Sequence, residues 1–148
     1  MTPMEQRKCQ TDNEKVLDEL LKASRILADE TYQVPPQIMW VDNSTIATLG
    51  NFSASTGKAK SRKTFNVSAI VAASLGNKQV LKYKACLPEG KRKILYIDTE
   101  QSRYHCHGVM RRILRLAGMQ QDVNAANLVF YGLREYHPTM RLQLIERA

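Results

Sequence analysis

A chain of 148 residues with 43% hydrophobic residues is long enough for one domain with a buried core. The 22 lysines and arginines against 14 acidic residues give a net charge of +8, which indicates either polyanionic ligands (nucleotide phosphates, nucleic acid) or a basic solvated surface. Three widely spaced cysteines suggest neither a disulfide framework nor a zinc site. The N-terminus is polar, which argues against secretion, and the sequence has no apolar run long enough to suggest a membrane-spanning helix. We therefore expect a protein of the reducing cytoplasm, with no membrane partner.

The first predicted element is an amphipathic helix in "TDNEKVLDELLKASRILADE", which begins with Thr11 and Glu14 at capping-box spacing. Its apolar stripe consists of Val16, Leu17, Leu20, Leu21 and Leu27. The stripe packs on the domain's own core, on a partner helix or on a neighbouring subunit. Two prolines then interrupt regular structure, so we predict a helical arm over residues 1–36 and a nucleotide-binding domain over residues 37–148.

The rest of the chain alternates between extended and helical patterns. Extended runs are "IMWV", "TIATLGNFSAST", "VLKYKACL", "RKILYIDTE" and "NLVFYGL". Helical patterns cover Lys63 to Leu75, "QSRYHCHGVMRRILRLAG" up to Gly118, and "PTMRLQLIERA". This order predicts an α/β fold in which helices flank a mostly parallel sheet, with "ILYID" as a central strand.

The segment "GKAKSRKT" is a candidate phosphate-binding loop. It matches the pattern G-x-x-x-x-G-K-[ST] except at Arg62, where the pattern has a second glycine. The predicted nucleotide-binding residues are Gly57, Lys58, Ala59, Lys60, Ser61, Arg62, Lys63 and Thr64. In such a loop the main chain surrounds the phosphates at a helix N-terminus, Lys63 reaches the β- and γ-phosphates, and the Thr64 hydroxyl binds Mg²⁺. The alternative interpretation is a basic turn at a helix start.

A second candidate site follows the strand "ILYID". Asp98 and Glu100 lie at its C-terminal end, the edge at which ligands bind in parallel α/β sheets, so a carboxylate there is suited to activate a water molecule. We take Glu100 as the candidate catalytic residue together with Lys63, and Asp98 as a weaker candidate Mg²⁺ ligand. The alternative is that Glu100 only begins the next helix and interacts with its dipole.

Together, "STGKAKSRKTF" and "ILYIDTEQS" resemble the RecA-like P-loop ATPases, especially the RepA-type helicases and AAA-family ATPases of mobile elements in Bacteroides-like bacteria. The resemblance covers roughly residues 45–134. It implies a RecA-like core that binds ATP and Mg²⁺, DNA as a partner, and assembly into homo-oligomeric rings. It also implies that Lys63 binds nucleotide, Thr64 lies beside magnesium and Glu100 polarises the hydrolytic water, and that a basic residue is tolerated at Arg62.

Such proteins have a further strand ending in the Walker B aspartate, and none is predicted after "NLVFYGL". We therefore expect a RecA-like domain that stops before this strand and hydrolyses ATP poorly alone, although Asp98 could instead be the Walker B residue of a complete domain. The competing functional hypothesis is a non-catalytic basic module that binds DNA or a protein partner and whose loop holds anions only structurally.

The pattern "RYHCHGVMRRILRLAG" predicts a strongly basic helix. His105 and His107 are two residues apart, so on a helix they point in different directions and do not favour a metal site. The arginines of this segment form a solvated face, or they contact nucleic acid or a neighbouring subunit's nucleotide. Trp40 is more typical of a core or arm anchor than of a base-stacking platform.

Overall fold

The computed structural model describes residues 3–58 and 61–148, which form two compact units, Met1–Val34 and Pro35–Ala148. The first unit contains helix α1, Pro3–Ala23. Its last turn closes at Ser24, whose hydroxyl donates a hydrogen bond to the Leu20 carbonyl oxygen (2.7 Å). The prediction of helix as far as Glu30 was therefore wrong, and the predicted cap at Thr11 lies within α1, with a side chain outside the described residues.

The second unit begins with a four-stranded sheet. Its strands are β1 (Gln37–Val41), β2 (Ser44–Thr48), β3 (Gln79–Val80) and β4 (Tyr83–Ala85), in the order β2-β1-β4-β3. Every neighbouring pair in this sheet is antiparallel. The prediction of a mostly parallel, RecA-like sheet was therefore wrong.

Two tight turns explain the antiparallel pairing of β1 with β2 and of β3 with β4. Asp42 and Asn43 connect β1 to β2, and Leu81 and Lys82 connect β3 to β4, with positive φ angles at Asp42 (50°) and Leu81 (54°). A two-residue connection can only reverse the chain, because a parallel crossover needs a dozen or more residues. The prediction of one extended run over "VLKYKACL" was therefore wrong, and neither turn was predicted.

Helix α2, Lys63–Gly76, occupies the predicted range and packs against helix α3, Arg103–Ala117, which ends at Gly118 as predicted. Small residues allow this close approach, because Ala69, Ala72 and Ala73 are all fully buried along α2. On α3 the facing residues include Ile113, which is also fully buried. The core of the unit therefore lies between the two helices and the antiparallel sheet.

A separate two-stranded sheet pairs β5 (Ile94–Asp98) with β6 (Leu128–Gly132). This pair is parallel, and the rings of Tyr96 and Phe130 stack across it with centroids 4.3 Å apart. Within the described residues β5 has β6 as its only neighbouring strand, so the prediction of a central strand was wrong. Helix α4, Pro138–Arg147, follows β6. In the described part of the chain, no helix combines the length and apolar character needed to cross a membrane.

Candidate phosphate-binding site

In the described part of the candidate loop, hydrogen bonds connect the first residues of the loop with its last ones. The Lys63 ammonium donates hydrogen bonds to the carbonyl oxygens of Gly57 (2.7 Å) and Lys58 (3.1 Å), and the Ser61 N–H donates to Lys58 (3.2 Å). A Cβ atom at position 57 would meet the Ser61 hydroxyl at 2.7 Å, so a larger residue there would require the Ser61 side chain to rotate away. Ala59 and Lys60 lie outside the described residues. The structure thus brings the first and last parts of the predicted loop together.

Among the residues that the structure describes, no carboxylate forms an ion pair with the Lys63 ammonium. Among the described residues the single ion pair joins Lys82 to Asp42, far along the chain from the loop. Two carbonyl dipoles orient the ammonium but leave its formal charge uncompensated. The group is therefore able to attract an anion at the N-terminus of α2, where the helix dipole adds partial positive charge.

Arg62 has the backbone conformation that the missing glycine of the motif would favour. Its φ and ψ angles are 61° and 25°, in the left-handed region, and it immediately precedes the first residue of α2. Its carbonyl oxygen accepts hydrogen bonds from the N–H groups of Phe65 (3.0 Å) and Asn66 (3.1 Å), so the helix starts in spite of the unfavourable residue. Arg62 therefore adopts a conformation that favours glycine, at a cost in local strain.

The loop is not preceded by a strand. β2 ends at Thr48, and residues 51–58 are exposed and have no regular secondary structure. The expectation that "TIATLGNFSAST" leads into Gly57 as a strand was therefore wrong for its second half. Polar residues dominate that half, so it has few of the β-branched and aromatic residues that are typical of strands.

A cavity of about 340 Å³ joins the first turn of α2 to α3. Thr64 lies on one side of it, and Gln101, which directly follows the candidate catalytic Glu100, lies on another. Arg111 and Arg112 of α3 also line this cavity and give it a basic wall. The Thr64 hydroxyl is a hard oxygen of the kind that Mg²⁺ accepts alongside phosphate oxygens, so it fits its predicted role.

Asp98 holds the turn between β5 and α3. One of its carboxylate oxygens accepts hydrogen bonds from the backbone N–H groups of Glu100 (2.9 Å) and Gln101 (2.7 Å), and the other accepts one from the Gln101 side-chain amide (2.9 Å). The residue is only 8% exposed. These bonds give Asp98 a structural task, and its binding of Mg²⁺ stays a prediction. Glu100 is exposed in this turn, and its catalytic role likewise stays a prediction.

The carboxylate of Asp98 also affects two neighbouring groups. Burial and then the negative charge of Asp98 raise the pKa of the Cys106 thiol, whose sulfur lies 3.6 Å from the Gln101 carbonyl oxygen. The same two causes, in the same order, raise the pKa of the Tyr96 hydroxyl. Both residues therefore stay neutral under ordinary conditions and support the turn without adding charge.

Gln101 is a site residue that sequence analysis missed. It was overlooked because an amide carries no sequence signature, although it contacts Asp98 and lines the cavity beside Thr64. Among the described residues, no group of three or more His, Cys, Asp or Glu side chains is arranged to hold a metal ion. Comparisons with protein-family models, with curated proteins and with solved structures find no match to this chain.

Proposed function

We propose that this protein binds ATP with Mg²⁺ through the loop from Gly57 to Thr64, as a cytoplasmic ATPase associated with DNA. The observation that supports ATP binding best is the position of the Lys63 ammonium, oriented by the Gly57 and Lys58 carbonyl oxygens and without a carboxylate partner among the described residues. The association with DNA rests on the resemblance of the loop and the "ILYIDTEQS" segment to helicase-type ATPases, and on the net charge of +8.

In this proposal the parts of the site have separate tasks. Lys63 moves from the carbonyl oxygens to the phosphates, since a doubly or triply charged anion attracts it more strongly than neutral dipoles do. The Thr64 hydroxyl faces the metal, and the first N–H groups of α2, which have no side-chain cap, donate to phosphate oxygens. Mg²⁺ would supply neutralisation of the phosphate charge. Glu100 orients the water that attacks the γ-phosphate.

The test is ATP binding measured by titration calorimetry in the presence of Mg²⁺. Lys63→Ala is expected to weaken binding by about tenfold or more, the usual effect of losing a charge-assisted hydrogen bond. Lys91→Ala is the matched control, because Lys91 is exposed and lies between β4 and β5, outside the loop. Equal affinities for the wild type and both variants would refute ATP binding at this loop.

Turnover is tested separately with Glu100→Gln. This change keeps the size of the side chain but removes its basicity, so it is expected to leave ATP affinity within about threefold and to lower hydrolysis by two orders of magnitude or more. Hydrolysis that is unchanged in Glu100→Gln would contradict the catalytic assignment, even if Lys63→Ala behaves as expected.

A further inference from the structure

The outward side of α3 carries a compact basic and aromatic surface. It consists of Tyr104, Gly108, Arg111 and Arg115, which we call the outer face of α3. At 3.6 residues per turn these four residues fall within about 60° of one another around the helix axis. Ile113, which is fully buried, lies on the opposite side, so the outer face points away from the core.

The outer face of α3 carries positive charge and no negative charge. The sequence of α3, RYHCHGVMRRILRLA, contains no acidic residue. The single ion pair of the described chain is Lys82–Asp42, so Arg111 and Arg115 have no carboxylate partner among the described residues. An anionic partner would therefore gain direct contacts with both guanidinium groups without first displacing an internal ion pair.

Tyr104 adds an exposed aromatic ring to the same face. Its side chain is 82% exposed, and its ring makes a T-shaped contact with the His105 ring, at a centroid distance of 5.4 Å. Because most of the side chain is exposed, ring surface is available for stacking. An aromatic ring beside arginines is the combination that binds the bases and phosphates of single-stranded nucleic acid.

Gly108 has no structural reason to be glycine. Its φ angle is not in the positive range, and a Cβ atom added there would meet nothing within 4 Å. Glycine weakens the interior of a helix compared with alanine. The missing side chain leaves a notch in the cavity that Tyr104, Arg111 and Arg112 also line, and this notch lets a flat group approach the helix backbone beside the tyrosine ring.

We propose that the outer face of α3 binds single-stranded nucleic acid, with one base stacked on Tyr104 over the Gly108 notch and the backbone phosphates on Arg111 and Arg115. The inference deepens the function proposed above and rests on it for the association with DNA. The face extends about 16 Å from Tyr104 to Arg115, which is longer than one triphosphate and fits a strand of several nucleotides. A membrane is a poorer fit, because the apolar side of α3 is buried in the core and cannot insert.

The cavity gives this surface a connection to the phosphate loop. Thr64 lines the same cavity as Tyr104, Gly108 and Arg111. A strand on the outer face would therefore end close to the first turn of α2. Binding of nucleic acid and occupation of the loop would then influence each other through shared positive charge.

The experiment is fluorescence anisotropy of the full chain with labelled oligothymidylate, mixed-sequence RNA and duplex DNA, without nucleotide. Wild-type protein is expected to prefer the single strands. The double variant Arg111→Ala/Arg115→Ala is expected to reduce the dependence of log Kd on log salt by about 1.4, at roughly 0.7 for each lost phosphate contact. Lys91→Ala/Lys93→Ala removes the same charge from the exposed loop before β5 and is the matched control, expected to leave this slope unchanged.

Gly108→Ala separates a binding role from a merely structural one. The added methyl group is expected to raise Tm by about 2–4 °C while weakening single-strand binding about threefold or more, because it fills the notch. Tyr104→Ala is expected to weaken binding about tenfold. All these positions are exposed, so circular dichroism and thermal melting should show folded variants.

Four results would overturn the inference. The first is single-strand binding by Gly108→Ala and Tyr104→Ala that equals the wild type, and the second is an arginine double variant that behaves like the lysine control. The third is equal affinity for duplex DNA and single strands. The fourth is binding to anionic lipid vesicles, measured by co-sedimentation, without binding to any of the oligonucleotides. ATP binding is measured on the same variants. If ATP affinity falls in Gly108→Ala while nucleic-acid binding does not, the face belongs to the nucleotide site and the inference fails, whereas the proposal about Lys63 stands.

Discussion

The left-handed conformation of Arg62 gives a sharp test of the loop geometry. With φ at 61° and ψ at 25°, Arg62 occupies a region where a Cβ atom crowds the following carbonyl group. Arg62→Gly removes this crowding and restores the complete pattern G-x-x-x-x-G-K-[ST]. The arginine side chain is exposed, so its removal does not open a cavity in the core.

The expected magnitude follows from two opposing effects. Relief of the left-handed strain contributes about 1–2 kcal/mol to the free energy of unfolding. The greater freedom of glycine in the unfolded chain offsets about 0.5–1 kcal/mol of this. Arg62→Gly is therefore expected to stabilise the protein by up to about 1.5 kcal/mol, and the midpoint of about 0.75 kcal/mol corresponds to a rise in Tm of about 2–3 °C at this chain length.

The assay is urea denaturation, with Arg62→Ala as the matched control. Alanine removes the guanidinium group but keeps a Cβ atom, so it should retain the strain and show no gain in stability. ATP affinity of Arg62→Gly should equal or exceed that of the wild type. If glycine and alanine at position 62 destabilise the protein equally, then Arg62 does not adopt the left-handed conformation and the loop geometry is wrong.

Three further predictions concern the supports of the site. Asn77 is also left-handed (φ 46°), but its side chain accepts a hydrogen bond from the Leu87 N–H (2.6 Å) and donates one to the Leu87 carbonyl oxygen (3.4 Å). Asn77→Gly should therefore destabilise the protein by about 1 kcal/mol in urea denaturation, and a gain would contradict this anchoring role. Asp98→Ala should lower the free energy of unfolding by about 2–4 kcal/mol, because two backbone N–H groups lose their acceptor. Asp98→Asn keeps an acceptor oxygen and should lower it clearly less. Equal losses in the two variants would show that the charge of Asp98 matters rather than these hydrogen bonds. The raised pKa of Cys106 predicts slower alkylation than at exposed Cys86, with a rate that keeps rising at more alkaline pH, as followed by peptide mapping. The same shift predicts that stability falls as pH rises through the thiol pKa, because the unfolded chain loses this proton first. A Cys106 alkylation rate that levels off at the pH of an ordinary thiol would refute the shift.

Local patterns predicted the helices of the second unit well. Lys63 to Leu75 was predicted as helix and α2 spans Lys63–Gly76, and the predicted end of α3 at Gly118 matches its C-cap. These predictions succeeded because helix periodicity and glycine caps act between residues close in the chain. The strand "ILYID" was also located correctly, and its parallel pairing with β6 follows from the helix between them.

Sheet architecture was predicted poorly. The turns at Asp42 and Leu81 use non-glycine residues with positive φ, so they lack the Asn-Gly or Asp-Gly signal that marks a tight hairpin. Without that signal, "VLKYKACL" was predicted as one extended run, the reversal between "IMWV" and "TIATLG" was not predicted, and alternation with helices favoured a parallel sheet. For the candidate site, the sequence indicated the loop residues but not the contact between Asp98 and Gln101.

By itself the sequence determined the basic charge, the helices of the second unit and the partial match to a phosphate-loop pattern, since each depends on composition or on neighbours along the chain. Only the tertiary structure decided how the strands pair, because pairing depends on turn geometry and on contacts between distant segments. It also decided that Lys63 rests on the Gly57 and Lys58 carbonyl oxygens, and that Thr64 shares a cavity with the arginines of α3. Residues 47 positions apart meet there because α2 and α3 pack through small side chains, a relation that no local pattern encodes.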